Sequence, residues 1–239
     1  MDRRQSLVEI VVDKVLDKIV SGEVGPHEAL PSETEIASES DVSRLTAREA
    51  MKTLEANNVV YKRQGLGTFV NPVERWTDLE AIARVALRNV TREKVPLHLI
   101  EVRQIVEVGA AELAAVNHRP DDLIAMQECI ATMQAAHESG DIDAFSQADI
   151  AFHDAILRAT GNPFIPALLA QLTVLLRTVR RVTSDSAEVQ THAIRQHELV
   201  LEAIRAGVPA RAHKAMNDHM VQTVEDYETY FSKAFDRVV

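Results

Sequence analysis

The second half of the chain carries three histidines and one aspartate on the predicted apolar sides of helices: Asp149, His153, His197 and His219. Asp149 and His153 are four residues apart, so on a helix they project side by side and can bind one cation together. His197 and His219 each lie in an apolar stripe at helical spacing, which predicts that both face the inside of a bundle. Imidazoles and a carboxylate gathered from three helices indicate a metal site, and we expect one divalent transition metal per chain.

The residue types do not choose between metals, because imidazole and carboxylate ligands suit several first-row ions. We expect zinc first, with nickel, manganese and iron as alternatives. Separate core histidines, each satisfied by its own hydrogen bond, are the alternative to a metal site. That role, or plain exposure, is the expectation for the remaining six histidines: His27, His98, His118, His137, His192 and His213.

The composition favours a mainly α-helical protein with two domains. The chain has 239 residues with eight Gly and eight Pro, which leaves long stretches without helix breakers. We predict an N-terminal winged helix-turn-helix of three helices plus a β-hairpin over residues 1–72, a linker over 73–76, and an all-α helical-bundle ligand-binding domain over 77–239. Helices of the second domain are predicted near 77–90, 96–117, 120–138, 142–160, 163–184, 188–206 and 209–233.

The first domain is predicted from its capping and turn residues. Ser32 with Glu35 three residues later indicates a capping box that begins a short helix, and Ser43 can cap a third helix ending near Ala56. The runs 59–61 and 68–70 flank a glycine-containing loop, which predicts a two-stranded hairpin. A helix, a turn, a second helix and a hairpin in this order are typical of a DNA-binding fold.

A small basic patch lies on this otherwise acidic chain, whose net charge is −10. Short polar and cationic side chains at the start of a helix can reach base edges in the major groove. Arg44 is the expected base contact, because its planar guanidinium can bond two acceptors of guanine. Gly65 lets the hairpin loop approach a narrow minor groove. The full predicted DNA-binding set is Ser43, Arg44, Thr46, Arg48, Lys62, Arg63, Gln64 and Gly65; solvated charges and an ordinary turn glycine are the alternative.

Residues 6–72 resemble the DNA-binding domain of the GntR family of bacterial transcription regulators. The resemblance rests on four phrases of the sequence: LPSE at 30–33, VSR at 42–44, REA at 48–50 and GLGTFV at 65–70. Members often carry an arginine directly after the glutamate of the first phrase, where this chain has Thr34.

Residues 77–233 resemble the FadR-type C-terminal ligand-binding domain, called FCD, through the phrases FHDAI at 152–156, TGNP at 160–163 and HELV at 197–200. In that family a helical bundle holds a divalent metal through one Asp and three His. The resemblance implies this role for the four residues Asp149, His153, His197 and His219. It also implies that Arg103 binds a carboxylate effector through two parallel hydrogen bonds, with a surface pair to Glu107 as the alternative. Arg177 and Asn217 are weaker candidates for the same pocket.

Together the two resemblances imply a transcription regulator, and repression is the family tendency. We expect a homodimer on palindromic double-stranded operator DNA, controlled by a small carboxylate such as a sugar acid, a hydroxy acid or a dicarboxylate. A metal-responsive regulator without an organic effector is one alternative. A metal-dependent hydrolase is another, but we expect no enzyme, because Asp154 is rotated away from the cluster and no other general base lies beside it.

The sequence also predicts the compartment. Cys129 is the single cysteine, so an internal disulfide framework is excluded and a reducing environment fits. Charged residues interrupt the apolar stripe of the first twenty residues, which argues against a signal peptide or a membrane span. We therefore expect a cytoplasmic protein with no membrane partner.

Overall fold

A computed structural model of the chain describes residues 5–88 and 94–231. The chain forms two compact units, Met1–Arg92 and Glu93–Val239. The described residues are mainly helical, and the sheet found among them is a single two-stranded antiparallel hairpin. This confirms the predicted fold class.

The first unit begins with three helices, α1 (Leu7–Val20), α2 (Glu33–Glu39) and α3 (Arg44–Ala56). The hairpin of β1 (Val60–Arg63) and β2 (Gly67–Val70) follows, then a single 3-10 turn (Val73–Arg75) and α4 (Leu79–Arg88). Val60 pairs with Val70 at one end of the hairpin and Arg63 pairs with Gly67 at the other. The order of elements is the one predicted for a winged helix-turn-helix.

Side-chain caps begin the two helices of the helix-turn-helix. Ser32 Oγ accepts a hydrogen bond from the Glu35 amide at 3.3 Å, and the Ser32 amide donates to Glu35 Oε2 at 2.8 Å. The predicted capping box is therefore present. Ser43 Oγ likewise accepts from the Thr46 amide at 3.1 Å. Each cap satisfies a backbone donor that has no partner inside its own helix.

The inner face of α3 is the one predicted from its periodicity. Ala47, Ala50, Met51 and Leu54 are all buried, in one core with residues of α1 and the hairpin. The same core takes in Ala81 of α4, and an ion pair joins α4 to α1. The first compact unit therefore includes α4, whereas the predicted boundary grouped residues 77–90 with the second domain.

The second unit is a bundle of seven helices among the described residues. They are α5 (Val95–Asn117), α6 (Pro120–Ser139), α7 (Ile142–Ala159), α8 (Phe164–Ala170), α9 (Thr173–Thr183), α10 (Ala187–Arg205) and α11 (Pro209–Asp226), and α11 continues into a π-helical turn (Tyr227–Phe231). Helix α5 packs against α7, α10 and α11, and α6 packs against α7 and α10. Four helices, α5, α7, α10 and α11, thus surround the interior where the predicted ligands lie.

One predicted helix is divided in two. The sequence predicts a single helix over 163–184, but a turn at 171–172 separates α8 from α9. At this turn the Leu172 amide donates to the Leu169 carbonyl, three residues back, and the Leu172 side chain is buried. Neither residue of this turn is a helix breaker such as Gly or Pro. The sequence therefore contains no local signal for the break. Predicted helical residues 89–90 and 232–233 lie outside the described residues.

Among residues 5–88 and 94–231, every helix is too short or too polar to cross a bilayer.

Candidate functional site

Three histidine side chains meet inside the second unit. His153 comes from α7, His197 from α10 and His219 from α11, and all three are buried. Their Nε2 atoms form a nearly equilateral triangle: 3.2 Å from His197 to His153, 3.3 Å from His197 to His219 and 3.3 Å from His219 to His153. The structure therefore brings three of the four predicted ligands to one point.

This spacing fits a shared metal ion. Two nitrogens bonded to one ion at about 2.0–2.1 Å lie about 2.8–3.4 Å apart at octahedral to tetrahedral angles. A network of hydrogen bonds fits less well, because each neutral imidazole has one N–H and three converging nitrogens cannot satisfy one another. These three buried histidines could hold a metal ion.

Asp149 lies beside the triangle with its two oxygens in different roles. Oδ1 is 3.5 Å from His197 Nε2 and 3.9 Å from His153 Nε2, so it lies next to the converging nitrogens. Oδ2 forms a close ion pair with Nη1 of Arg180, on α9. The i, i+4 spacing on α7 places Asp149 and His153 on the same face, as predicted.

Two buried residues of α5, Arg103 and Glu107, also contact His153. Arg103 Nε donates to Glu107 Oε1 at 2.8 Å, and Arg103 Nη2 lies 3.0 Å from His153 Nε2. Glu107 Oε2 lies in close contact with His153 Nδ1. A carboxylate at Nδ1 favours the tautomer with its proton on Nδ1 and its lone pair on Nε2, the form that a metal ligand needs. Arg103 does pair with Glu107, but the pair is buried at the cavity and not on the surface.

Glu107 and Arg180 are site residues that the sequence analysis did not assign. Arg180 is buried between two carboxylates, with Asp149 in direct contact and Glu107 Oε1 3.9 Å from its Nη2. The spacing of four residues from Arg103 on one helix could have found Glu107. Arg180, near the end of α9, has no such local signal.

The electrostatics favour the protonation states that bind metal. Burial, followed by the positive charges of Arg180 and Arg103, lowers the pKa of His197 to about 3. Burial is also the main reason that the pKa values of His153 and His219 lie well below the usual range. Burial alone would raise the pKa of Asp149, but Arg180 and the other cationic groups lower it overall. Neutral imidazoles and an ionised carboxylate are the ligand forms that a divalent cation takes.

A cavity of about 50 Å³ opens beside the cluster. Arg103, Asp149, Arg180 and His219 line it at the cluster, and α11 continues its wall with Gln222, Thr223 and Asp226. A water molecule needs roughly 10–15 Å³ of such space, so the cavity has room for a few waters or a small ligand.

The two weaker pocket candidates lie elsewhere. Arg177 is exposed. Asn217 accepts a hydrogen bond from Gln104 Nε2 at 3.0 Å. Neither side chain lines the cavity.

The other six histidines follow the expectation of a hydrogen bond or exposure. His27 and His98 are exposed. The remaining four each have a partner for Nδ1: the Ala114 carbonyl for His118, Gln190 for His137, Asp226 for His192 and Glu112 for His213.

The predicted DNA contacts of α3 lie on the surface of the first unit. Ser43, Arg44 and Arg48 are exposed, and Thr46 is half-buried, with its hydroxyl 2.9 Å from Ser43 Oγ. Leu45 is 67% exposed in the first turn of the same helix, between two predicted contacts. Such an apolar side chain suits the methyl group of thymine, and the sequence analysis missed it.

The hairpin loop carries the other predicted contacts. Lys62 pairs with Glu55 at 2.8 Å, and the Arg63 guanidinium lies over the Phe69 ring, 5.4 Å from its centre. Gln64 and Gly65 are exposed at the loop tip. Gly65 has φ of +74°, a left-handed conformation that favours glycine.

Comparisons with known proteins agree with this arrangement. The model of the "Bacterial regulatory proteins, gntR family" matches residues 7–70, and the FCD domain model matches residues 98–222. The chain belongs to the GntR family. Within this family, it is 30% identical over 220 residues to the HTH-type transcriptional regulator LutR of Bacillus subtilis (strain 168), which covers 90% of the chain and 98% of that relative.

Two further family relatives are similar over most of their length. The galactonate operon transcriptional repressor of Escherichia coli (strain K12) is 30% identical over 191 residues, which is 79% of this chain and 82% of the relative. The solved structure of Streptococcus agalactiae GntR is 25% identical, with a TM-score of 0.51 over 91% of this chain and 99% of the other. The matched families and the curated relatives are transcription regulators, so this GntR-family chain is a DNA-binding regulator and not an enzyme.

Proposed function

We propose that this regulator is a repressor whose operator affinity is controlled by a small carboxylate bound beside a divalent metal. The ligands are Asp149, His153, His197 and His219, and zinc is the metal we put first, ahead of nickel, manganese and iron. The observation that carries the proposal is the triangle of three Nε2 atoms, which lies beside a cavity lined by two buried guanidinium groups.

The cavity offers donors for an acid. Arg103 and Arg180 both line it, and no described residue accepts a hydrogen bond from Arg180 Nε. A guanidinium binds a carboxylate through two parallel hydrogen bonds. When bound, the metal adds a positive charge that attracts the acid, and no reaction takes place on it. We propose that Arg103 binds the effector carboxylate and that Arg180 binds it as well.

The first domain binds the operator. In the proposal, residues 1–72 form the DNA-binding domain, 73–76 the linker and 77–239 the effector domain, except that α4 within this last range packs in the core of the first unit. Helix α3 enters the major groove with Arg44 as the base contact. Ser43, Thr46, Arg48 and the loop from Lys62 to Gly65 contact phosphates or the minor groove. Two copies of α3 match two half-sites of a palindrome, which requires a homodimer. A regulator that binds operator DNA works where that DNA is, so the proposal includes a cytoplasmic location.

Effector binding changes operator affinity only if the acid binds one arrangement of the dimer more tightly than another. The usual coupling between two sites is about 1–3 kcal/mol, which corresponds to a change in affinity of roughly 5- to 150-fold. The similar E. coli protein is a galactonate operon transcriptional repressor, which supports both repression and a sugar acid as effector.

A metal-responsive regulator without an organic effector is the second candidate. One observation favours it: Arg103 and Arg180 already pair with Glu107 and Asp149, so both cations are neutralised without a ligand. In that case the metal alone would control DNA binding.

One experiment separates the two candidates. The metal-loaded protein is titrated onto the DNA upstream of its own gene, and fluorescence anisotropy reports binding with and without a hydroxy acid, a sugar acid or a dicarboxylate. We expect one class of acid to weaken binding 5- to 150-fold, and chelation to abolish that response. His197→Ala should lose the metal and the response, while the exposed control His213→Ala keeps both.

Release of DNA by the chelator, with no response to any acid, would favour the metal-only regulator. DNA binding that neither chelator nor acid changes would contradict both candidates.

A further inference from the structure

The cavity beside the histidines is lined by two ion-paired guanidinium groups at one end and by a carboxylate farther along α11. Arg103 and Arg180 lie at the histidine end, and the Asp226 carboxylate lies in the wall contributed by the end of α11. Helix α11 supplies both His219 and Asp226, seven residues apart. Seven residues are two helical turns, so the two side chains share a face and are separated by about 10 Å along the axis.

Asp226 is held in place by its neighbours. The residue is 6% exposed, and its Oδ1 accepts hydrogen bonds from His192 Nδ1 at 2.8 Å and from Gln222 Nε2 at 3.1 Å. Neither of these bonds uses Oδ2, so within residues 5–88 and 94–231 this oxygen is left to accept from a ligand. A carboxylate held by two donors on one oxygen is a fixed acceptor for a ligand hydroxyl.

We propose that Asp226 makes the pocket selective for acids with one carboxylate and a distal hydroxyl, and against dicarboxylates. This inference rests on the proposed function, in which the acid's carboxylate lies at the histidine end. A hydroxyl two helical turns away can donate to Asp226, whereas a second carboxylate has no proton to donate and meets a like charge in a buried site. A separation of about 10 Å exceeds the reach of a two- or three-carbon hydroxy acid, whereas a sugar acid of five or six carbons has the length. In this proposal the bundle opens around the 50 Å³ cavity to admit such an acid.

Matched acids test the inference directly. Gluconate and glucarate share their carbon chain and stereochemistry, as do galactonate and galactarate, and within each pair only the distal group differs. Isothermal titration of the metal-loaded, full-length protein should show that at least one monoacid binds at least tenfold more tightly than its diacid. The variant Asp226→Asn, which keeps the shape and removes the charge, should bring that ratio close to one.

Asp218→Asn is the matched control, because it removes an exposed carboxylate from the same helix and should leave the ratio unchanged. Metal content and melting temperature show whether each variant is folded. If Asp226→Asn does not fold, Asp226→Ser takes its place. The ratio of the monoacid and diacid affinities of the wild type is a further test that needs no variant.

Three results would overturn the inference: equal affinity of wild type for a monoacid and its diacid, a ratio that survives the removal of the Asp226 charge, or binding of two- and three-carbon hydroxy acids only. Each leaves the proposed function standing, since an acid still binds. Failure of the proposed function is different, because then no acid of any class binds or changes operator affinity.

Discussion

The Glu107 carboxylate contacts a proposed metal ligand and a proposed effector residue at once. Its Oε2 lies against His153 Nδ1, and its Oε1 accepts from Arg103 Nε. An acceptor at the far nitrogen fixes the ring orientation and the tautomer of a metal-bound histidine. We therefore assign Glu107 a positioning role: it acts on the metal through His153.

The first prediction concerns Glu107→Gln. The change keeps the size of the side chain and removes the charge that faces His153 Nδ1, so we expect metal affinity to fall about 10- to 100-fold. Competition with a chromogenic chelator measures the metal affinity. Glu112→Gln is the matched control, because Glu112 lies on the same helix with its side chain 43% exposed. Equal metal affinity of Glu107→Gln and wild type would remove the positioning role.

Arg44 carries the second prediction. We expect Arg44→Ala to weaken specific operator binding by about 1–3 kcal/mol, because the variant loses a guanidinium that can bond two acceptors on guanine. Metal content and the thermal unfolding midpoint should not change, since Arg44 is exposed. Arg211→Ala removes an equally exposed charge from α11, in the second unit, and serves as the control. Unchanged operator affinity in Arg44→Ala would exclude this residue as a base contact.

The meeting of three histidines beside Asp149 could be predicted from the sequence, because helical periodicity decides which way a side chain points. Asp149 and His153 share a face at a spacing of four, and His197 lies in an apolar stripe. Arg180 could not be found this way, since its burial follows from packing between two carboxylates that are 31 and 73 residues away. Long-range pairing of charges leaves no local pattern.

At the scale of elements, capping decides where the helix-turn-helix begins. Ser32 and Glu35 satisfy each other's backbone amides at the start of α2, which has only seven residues. A helix this short is marginal by itself, so its ends and its packing decide whether it forms.

We expect Ser32→Ala to lower the free energy of unfolding of the protein by about 1 kcal/mol, through loss of the capping bond. Chemical denaturation followed by circular dichroism measures the change. Ser38→Ala is the control, because Ser38 is exposed inside the same helix, where alanine is the better helix former. A loss of similar size in both variants would contradict the role of the cap.

Element boundaries were harder to predict than the elements themselves. The hairpin and the helices α5, α6, α7, α10 and α11 follow from turn residues and periodicity. The turn at 171–172 does not, because it contains no helix breaker; its Leu172 side chain is buried. Likewise, the sequence of α4 is amphipathic, but it does not show which unit covers the apolar face. The structure places Ala81 of this face in the core of the first unit.

At the scale of the whole molecule, the chain pairs a DNA-binding unit with a helical unit that can hold a metal and that we propose binds an acid. This combination has a thermodynamic consequence. Coupling between the two sites is reciprocal, so operator DNA must change the affinity for the acid by the same factor by which the acid changes the affinity for DNA. The metal is required first, because the proposed acid site includes it.

The most direct test of the account is therefore elemental analysis together with native mass spectrometry of the purified full-length protein, before and after chelation. We predict a dimer that carries about one transition-metal ion per chain, and loss of that ion after chelation or in His197→Ala. A folded protein that stays free of metal after purification from metal-replete cells and after addition of zinc, nickel, manganese or iron would contradict the account. It would leave Asp149 and the three histidines as polar residues of the core.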